Sequence, residues 1–476
     1  MIPIEGQPIL TVAQMRAAEE RAIAAGSSVQ QLMERAGAGV AEAAHRLAAG
    51  APILVLCGSG NNGGDGYVAA RVLKSNGVDV RVAALSEPST DAAKTAREGW
   101  TGPVVPLVDA ERTPVVVDAV LGNGWSRNFA DAEGNALVDL INGARLSLAV
   151  DLPSGLPSKF DDALFVMYKV DITLALGAVK PFHVLQPFAE NCGTVRVLDI
   201  GLDLMDIPVP EVSRDWVAER PWIAGPYNFS HKYSRGMVIV IGGEMTGAAA
   251  LAAEAAMHAG AGYSLLFEDD PTVGPPHALV RRRWSKSAFE AATKGKSRGS
   301  TAIVVGPGLG KDEAAAGKLK AAIASGIRLV IDGDALHLLD DEAFARFHER
   351  PPEYPVVLTP HEGEFKALFG DWSGSKIDAA RDAAMRSGAI VVFKGNDTVI
   401  AYPDGRTRTA PPASAWLSTA GTGDVLAGTI GAMLTATTLY PAETGVWMHA
   451  EAALRLGGAF IADDLVRELS AVRASL

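Results

Sequence analysis

Two glycine-rich tracts, far apart in the chain, most constrain its fold. The apolar run Ile53-Leu54-Val55-Leu56-Cys57 passes into Gly58-Ser59-Gly60-Asn61-Asn62-Gly63-Gly64-Asp65-Gly66, and Ala420-Gly421-Thr422-Gly423-Asp424 opens the apolar run Val425-Leu426-Ala427-Gly428. Strand, glycine loop and helix in that order are the repeating unit of a parallel α/β sheet, whose ligands gather outside the carboxyl ends of its strands. Glycines at a helix start let backbone N–H groups close on an anion, and the helix dipole favours negative charge there. An aspartate in the second tract can take a proton from a hydroxyl beside a bound phosphate. That combination suits phosphoryl chemistry on an alcohol. The five residues alone would also serve as a plain glycine turn with an aspartate cap. The upstream tract predicts a second active site.

At 476 residues the chain exceeds one compact core, so two large domains are expected. In the first, Thr11 caps a helix over 12–25, and Ser27 or Ser28 caps one over 29–49. Unbroken apolar runs at 53–57, 78–84, 115–117, 147–150, 172–176 and 195–198 read as buried parallel strands, with crossover helices over 65–76 and 130–142. The proline-rich stretch Ile207-Pro208-Val209-Pro210 then breaks the pattern, and the boundary is placed near Ser213, giving domains 1–213 and 214–476. A second series follows: strands at 237–241, 302–305, 329–331, 356–358 and 390–393, helices over 247–259 and 312–325, and Ala- and Gly-rich helices from Thr422 onward. The fold class is therefore α/β in two domains, the first a Rossmann-like doubly wound domain. No sequence period relates the halves.

A net charge of −12 argues against a nucleic-acid partner, and no apolar run is long enough to span a bilayer. The first residues carry no basic stretch followed by an apolar core, so no secretory signal is visible. Cys57 and Cys192 fall in or beside strand-like runs and read as buried free thiols, which makes the cytoplasm the default compartment.

The first tract lacks a Walker lysine and is not Gly-x-Gly-x-x-Gly, so neither NTP hydrolysis nor dinucleotide redox is indicated. Its glycines are expected to allow positive φ and close ligand approach, and Asn61 and Asn62 add amide donors and acceptors. Two further strand ends agree with it. Val115-Val116-Val117-Asp118 runs into Gly122-Asn123-Gly124, and Ala149-Val150-Asp151 runs into Leu152-Pro153-Ser154-Gly155. A strand-end aspartate is also an ordinary helix cap. Three polar ends on one side of a parallel sheet, however, converge on one crevice. Their Asn, Asp and Ser oxygens suit a hard cation.

With Leu32-Met33-Glu34-Arg35-Ala36-Gly37, these pieces resemble the NAD(P)H-hydrate epimerase domain over residues 10–205, in order and spacing. The resemblance implies that Asn62, Asp118 and Ser154 hold a potassium ion. It implies that Asn61, Asn62, Gly63, Gly64 and Asp65, the run Gly122, Asn123, Gly124, Trp125, Ser126, Arg127 and Asn128, and Asp151 contact the hydrated nicotinamide nucleotide. Asp118 is the expected acid/base for inversion at the C6 carbinol carbon, although an ion-bound carboxylate is a weaker base. Departures from the family pattern are Pro157 after Ser-Gly-Leu, a short loop at 158–162, and Phe182 after Lys180-Pro181. They are expected around the pocket rim.

The second half resembles the ADP/ATP-dependent NAD(P)H-hydrate dehydratase, a ribokinase-like α/β domain, over residues 225–470. The resemblance is carried by His231-Lys232, Gly236, Ile241-Gly242-Gly243, Thr246-Gly247-Ala248, Ala259-Gly260-Ala261-Gly262, Val305-Gly306-Pro307-Gly308-Leu309-Gly310, Thr359-Pro360-His361 with Gly363-Glu364-Phe365, Lys394-Gly395 with Thr398, and the tract ending at Asp424. It implies that Lys394, Gly395, Asn396, Asp397, Thr398, Gly421, Thr422 and Gly423 bind the adenine nucleotide, and that Ala248, Gly308, His361 and Asp424 contact the hydrate. ADP or ATP is the expected co-substrate, with Mg2+, and both domains are expected to self-associate. Asp424 would deprotonate the ring hydroxyl as the terminal phosphoryl group arrives, and the amides of Gly421 to Gly423 would stabilise the phosphoryl charge. Hydroxide leaves poorly and phosphate leaves well, so loss of phosphate restores the reduced cofactor. Here Tyr233, Gly333 and Glu362 depart from the family, and Tyr233 is expected to crowd the hydrate pocket.

The expected activity is epimerisation of R- and S-hydrates by the first domain and nucleotide-dependent dehydration of the S form by the second. A small-alcohol kinase with a non-catalytic scaffold domain is the alternative that the Gly-Thr-Gly-Asp tract alone permits.

Overall fold

The Ile53–Cys57 pentad is buried at every position, because a strand inside a parallel sheet is covered on both faces. The computed structural model describes residues 1–122, 129–157, 160, 168–204, 215–294 and 300–476. The chain divides into two compact units, Met1–Glu211 and Val212–Leu476.

In the first unit, strands β1 (Ile53–Cys57), β2 (Val80–Ala84), β3 (Val104–Pro106), β4 (Val115–Ala119), β5 (Leu146–Val150), β6 (Ile172–Leu176) and β7 (Thr194–Leu198) form one sheet in the order β3-β2-β1-β4-β5-β6-β7. All pairings are parallel. The order reverses between β1 and β4, where Leu56 lies opposite Asp118. Such a switch point is where doubly wound sheets bind ligands. The helices are α1 (Val12–Ala24), α2 (Val29–Ala48), α3 (Asn61–Ser75), α4 (Asp91–Glu98) and α5 (Asp131–Asn142). Thr11 with Gln14 and Ser28 with Gln31 form reciprocal capping boxes at α1 and α2. Strand residues alternate between two cores. Ile53, Val55 and Cys57 pack with α2 and α3, whereas Leu54 and Leu56 pack with Leu137, Leu140 and Ile141 of α5.

The second unit contains β8 (Asp215–Val217), β9 (Met237–Ile241), β10 (Tyr263–Glu268), β11 (Val280–Arg283), β12 (Thr301–Val305), β13 (Arg328–Ile331), β14 (Val356–Leu358), β15 (Ile390–Phe393), β16 (Val399–Ala401) and β17 (Thr407–Thr409). They form one sheet in the order β11-β10-β9-β12-β13-β14-β15-β16-β17-β8, with only β16 antiparallel to its neighbours. Its helices are α6 (Thr246–His258), α7 (Lys286–Thr293), α8 (Glu313–Ala324), α9 (Asp341–His348), α10 (Glu362–Phe369), α11 (Lys376–Ser387), α12 (Thr422–Met433), α13 (Pro441–Leu456) and α14 (Ala462–Ala474). One face of the sheet buries Val238, Val240, Ala302 and Val304 against the alanines of α6 and the apolar sides of α12 to α14. No helix of the described residues is long and apolar enough to cross a membrane.

The structure departs from the sequence reading in one place that matters for function. The Asn61–Gly66 tract is not a loop: α3 begins at Asn61 with Gly60 as its cap. Gly63, Gly64 and Gly66 are helical and none takes positive φ. They are required for packing. A Cβ on Gly63 would lie 1.9 Å from the Gly58 carbonyl oxygen, and one on Gly66 would lie 2.8 Å from Ala119 Cβ. The missing side chains let the helix start sit directly against the ends of β1 and β4. The elements that escaped prediction include short polar ones, such as β11 with its arginines, β17 and α4, and two longer ones, the buried strand β10 and the helix α11.

Candidate active sites

At the carboxyl ends of the first sheet lies a cavity of about 570 Å³. Its wall includes Glu19 of α1, Asn61, Asn62 and Asp65 of α3, Asp151 after β5 and Lys180 after β6. Gly122 also lines it, whereas Asn123, Gly124, Trp125, Ser126, Arg127 and Asn128 lie outside the described residues. Asn61 Oδ1 accepts a hydrogen bond from Thr90 Oγ1 at 2.6 Å. No side chain caps the start of α3, which leaves its first N–H groups for an anion.

Asp151 and Lys180 form an ion pair that is buried on both sides. Asp151 sits at φ 65°, in the left-handed region, where Oδ1 accepts the Leu176 amide at 3.1 Å. Lys180 Nζ also donates to the Leu176 carbonyl at 2.7 Å. His183 Nδ1 accepts the Lys180 amide at 2.9 Å, so its Nε2 carries the proton and meets the Asp151 carbonyl at 2.6 Å. Burial and the Lys180 charge push His183 down to about 4, so the ring is neutral.

Asp118 is placed differently from expectation. It is 1% exposed and does not line the cavity. Its Oδ1 accepts Ser154 Oγ at 2.5 Å and the Val120 amide at 3.2 Å. Its Oδ2 accepts the Ser154 amide at 2.8 Å and the Tyr168 hydroxyl at 2.7 Å. Burial raises its pKa against these bonds. A carboxylate accepting four hydrogen bonds has no oxygen to spare for a reacting proton. Asp118 therefore holds the β4 and β5 ends together. The oxygens of Asn62, Asp118 and Ser154 are of the kind a hard monovalent cation takes, and Asn62 Nδ2 is buried with no partner among the described residues. The rim departures lie elsewhere. Phe182 stacks on Phe160 at 4.4 Å, and neither it nor Pro157 lines the cavity.

In the second unit, the carboxyl ends of β9, β12, β13, β14 and β15 lead into Gly242, Gly306, Asp332, Thr359 and Lys394. Gly421, at φ 88°, turns the chain into α12 with no side-chain cap, and Asp424 falls in its first turn. Asp424 makes no hydrogen bond or ion pair with any described residue. Burial, and then the Asp332 charge, raise its pKa to about 6. Lys394 Nζ lies 2.8 Å from Asp332 Oδ1 and 3.6 Å from Glu364 Oε2. Burial pulls its pKa down, but those two charges outweigh it and the net shift is upward. Thr359 Oγ1 donates to Asp332 Oδ1 at 2.6 Å. Lys394, Asp332, Glu364 and Asp424 thus form one charge cluster.

The Gly395-Asn396-Asp397-Thr398 turn is fixed by Thr398 Oγ1, which donates to the Gly395 carbonyl at 2.7 Å. Lys376 Nζ braces the same turn, reaching the Lys394 carbonyl at 3.1 Å and Asp397 Oδ1 at 2.5 Å. Gly308, at φ 59°, lets its loop close on Met245, whose amide donates to the Gly308 carbonyl at 2.9 Å, just before Ala248 in the first turn of α6. His361 caps α10: its Nδ1 accepts the Glu364 amide at 3.2 Å, and its Nε2 lies 3.5 Å from Glu364 Oε1.

Sequence reasoning gave no role to Asp332, although the strand-end rule applied to Asp118 would have found it. Nothing in the sequence marked Glu19 or Lys376, since helical charges are ordinarily solvated.

A Rossmann-ordered unit joined to a ten-stranded, mostly parallel α/β unit, each with a glycine-built helix start at its strand ends, defines a two-site α/β protein. Residues 238–471 match the family described as NAD(P)H-hydrate dehydratase, and residues 29–182 match the YjeF-related protein N-terminus. The bifunctional NAD(P)H-hydrate repair enzyme Nnr of Mycobacterium tuberculosis (strain CDC 1551 / Oshkosh) is 35% identical over 414 residues, covering 85% of this chain and 84% of that protein. The enzyme of the same name from Escherichia coli (strain K12) is 30% identical over 447 residues, with 88% and 83% covered. A solved structure of the ADP/ATP-dependent NAD(P)H-hydrate dehydratase from Bacillus subtilis, co-crystallised with ATP/Mg2+, is 26% identical with a TM-score of 0.45, covering 53% of this chain and 94% of that one. The chain belongs to the bifunctional NAD(P)H-hydrate repair enzymes, with an epimerase first half and a dehydratase second half.

Proposed function

We propose that Asp424 is the base of the dehydratase half. The observation that carries this is a carboxylate with no partner among the described residues, in the first turn of α12, with its pKa raised to about 6. It would take the proton of the hydrate's C6 hydroxyl while that oxygen attacks the terminal phosphorus of ADP or ATP. The N–H groups of Gly421, Thr422 and Gly423 meet the developing phosphoryl charge. Loss of phosphate from C6 and of a proton from C5 then gives NADH or NADPH. Lys394, Gly395, Asn396, Asp397 and Thr398 take the adenine nucleotide, and Ala248, Gly308 and His361 take the hydrate. Lys394 is neutralised by Asp332 and Glu364, so its part is to set the loop and the local field. Mg2+ arriving with the nucleotide would supply charge neutralisation, and Asp332 and Asp334 are the carboxylates to meet it.

In the epimerase half, Asn61 to Asp65, Gly122 and Asp151 contact the R- or S-hydrate, with the uncapped start of α3 receiving its phosphates. A potassium ion held by Asn62, Asp118 and Ser154 would supply a fixed positive charge, and the Ser154 hydroxyl would turn away from Asp118 to admit it. The buried thiols of Cys57 and Cys192 accord with a reducing cytoplasm.

The test is Asp424→Asn. NADH recovery from S-hydrate with ADP or ATP is expected to fall about 10²–10⁴-fold, with nucleotide affinity retained. Unchanged turnover would remove Asp424 from the chemistry. A stable phosphorylated product in place of NADH and inorganic phosphate would make the second unit a small-alcohol kinase.

A further inference from the structure

The epimerase cavity holds a carboxyl group that no described residue engages. Asp65 is 6% exposed and faces the cavity, and its carboxyl makes no hydrogen bond or ion pair with any described residue. The charged groups around it come from three further elements: Arg16 and Glu19 on α1, Asp151 after β5 and Lys180 after β6. Lys180 is committed to Asp151 and the Leu176 carbonyl, and Arg16, the other cation of the described cavity wall, makes no hydrogen bond or ion pair with Asp65. A buried carboxyl without a partner is costly unless it is protonated or meets a ligand.

We propose that Asp65 is a catalytic residue of the epimerase: it protonates the departing C6 hydroxyl, while Asp151 and Glu19 face the ring cation that forms. This rests on the epimerase reading of the first unit. The Asp65 carboxyl gives its proton to the C6 oxygen, the C6–O bond breaks, and water leaves. The N1 lone pair becomes the second bond of a C6=N1 iminium, which carries one positive charge. Water then adds to the opposite face of C6, the iminium electrons return to N1, and the proton released by that water goes to a cavity carboxylate. Proton exchange with cavity water resets the acid. No oxidant, reductant or further reactant is required.

Burial, then the charges of Asp151 and Glu19, raise the Asp65 pKa well above its ordinary value, which favours the protonated form an acid needs. Glu19 is raised by burial and by Asp151. A cation formed among these groups relieves their mutual repulsion, so it is stabilised at the moment it appears.

The experiment uses the full chain with R-hydrate and ADP, because S-hydrate turnover by the same polypeptide reports the other half. In Asp65→Asn, kcat for NADH recovery from R-hydrate is expected to fall at least about 100-fold, with KM changed by less than about threefold and S-hydrate turnover unchanged. Glu19→Gln is expected to lower the same kcat about tenfold, and it carries the test if Asp65→Asn does not fold. Wild-type kcat in Asp65→Asn, or a raised KM with kcat kept, would make Asp65 a mere contact and overturn the proposal. Wild-type enzyme that consumed S-hydrate but left R-hydrate untouched would overturn the epimerase reading itself. Active wild type beside an active Asp65→Asn would overturn the assignment alone.

Discussion

Three aspartates at strand or helix ends show how much a side chain's neighbours decide. Asp424 and Asp65 make no hydrogen bond with any described residue, whereas Asp118 accepts four hydrogen bonds. All three have raised pKa values through burial, but only an unengaged group can exchange a proton with a ligand. Asp424 must be ionised to act as a base. Its value of about 6 therefore predicts that kcat/KM for dehydration falls about tenfold per pH unit below that point. A pH–rate profile on S-hydrate checks this. A rate flat down to pH 5 would mean another group takes the proton. From sequence, Asp118 and Asp424 look alike as acidic residues beside glycines, and Asp65 looks like part of a turn. Hydrogen-bond saturation involves Tyr168 and Ser154, distant in sequence, and so was not legible there.

Among the elements, the starts of α3 and α12 carry both sites, yet their glycines act for different reasons. Gly421 takes the left-handed turn into α12, whereas Gly63 and Gly66 stay helical and admit the β1 and β4 ends. Gly63→Ala would drive a Cβ to 1.9 Å from a backbone oxygen, which cannot rotate away. The expected cost exceeds the roughly 1–3 kcal/mol of ordinary overpacking, so R-hydrate conversion is lost while S-hydrate turnover persists. Measuring both substrates on the variant decides this.

Tyr233 reverses an expectation. It precedes β9, and its ring lies 5.6 Å from that of Tyr263, the first residue of β10. Both stand at the amino ends of their strands, and it is the carboxyl end of β9 that leads into the site. Tyr233→Gly is therefore expected to leave the KM for S-hydrate within about twofold of wild type, which steady-state kinetics can read. A large fall in KM would place the ring in the pocket after all.

For the whole molecule, each unit carries its own sheet, cores and candidate site. Two separately complete sites predict complementation. Asp65→Asn and Asp424→Asn, mixed, are expected to recover NADH from R-hydrate that neither converts alone, because the S-hydrate made by one chain diffuses to the other. No recovery from the mixture would mean that the intermediate is not released. The α/β class, most central strands and the order of the motifs were legible because buried parallel strands are written as unbroken apolar runs and helix starts as glycine and polar clusters. The strands β10, β11, β16 and β17 were not: β16 and β17 have three residues each, too short to show a period, β11 is mostly arginine, and β10 opens on Tyr and Ser. By itself the chain's sequence determined two α/β units and where their ligands must gather, because local pattern and close backbone packing are properties of neighbouring residues. Only the tertiary structure decided which carboxyl groups are engaged and which are free, because burial and hydrogen-bond partners are set by residues brought together from distant parts of the chain.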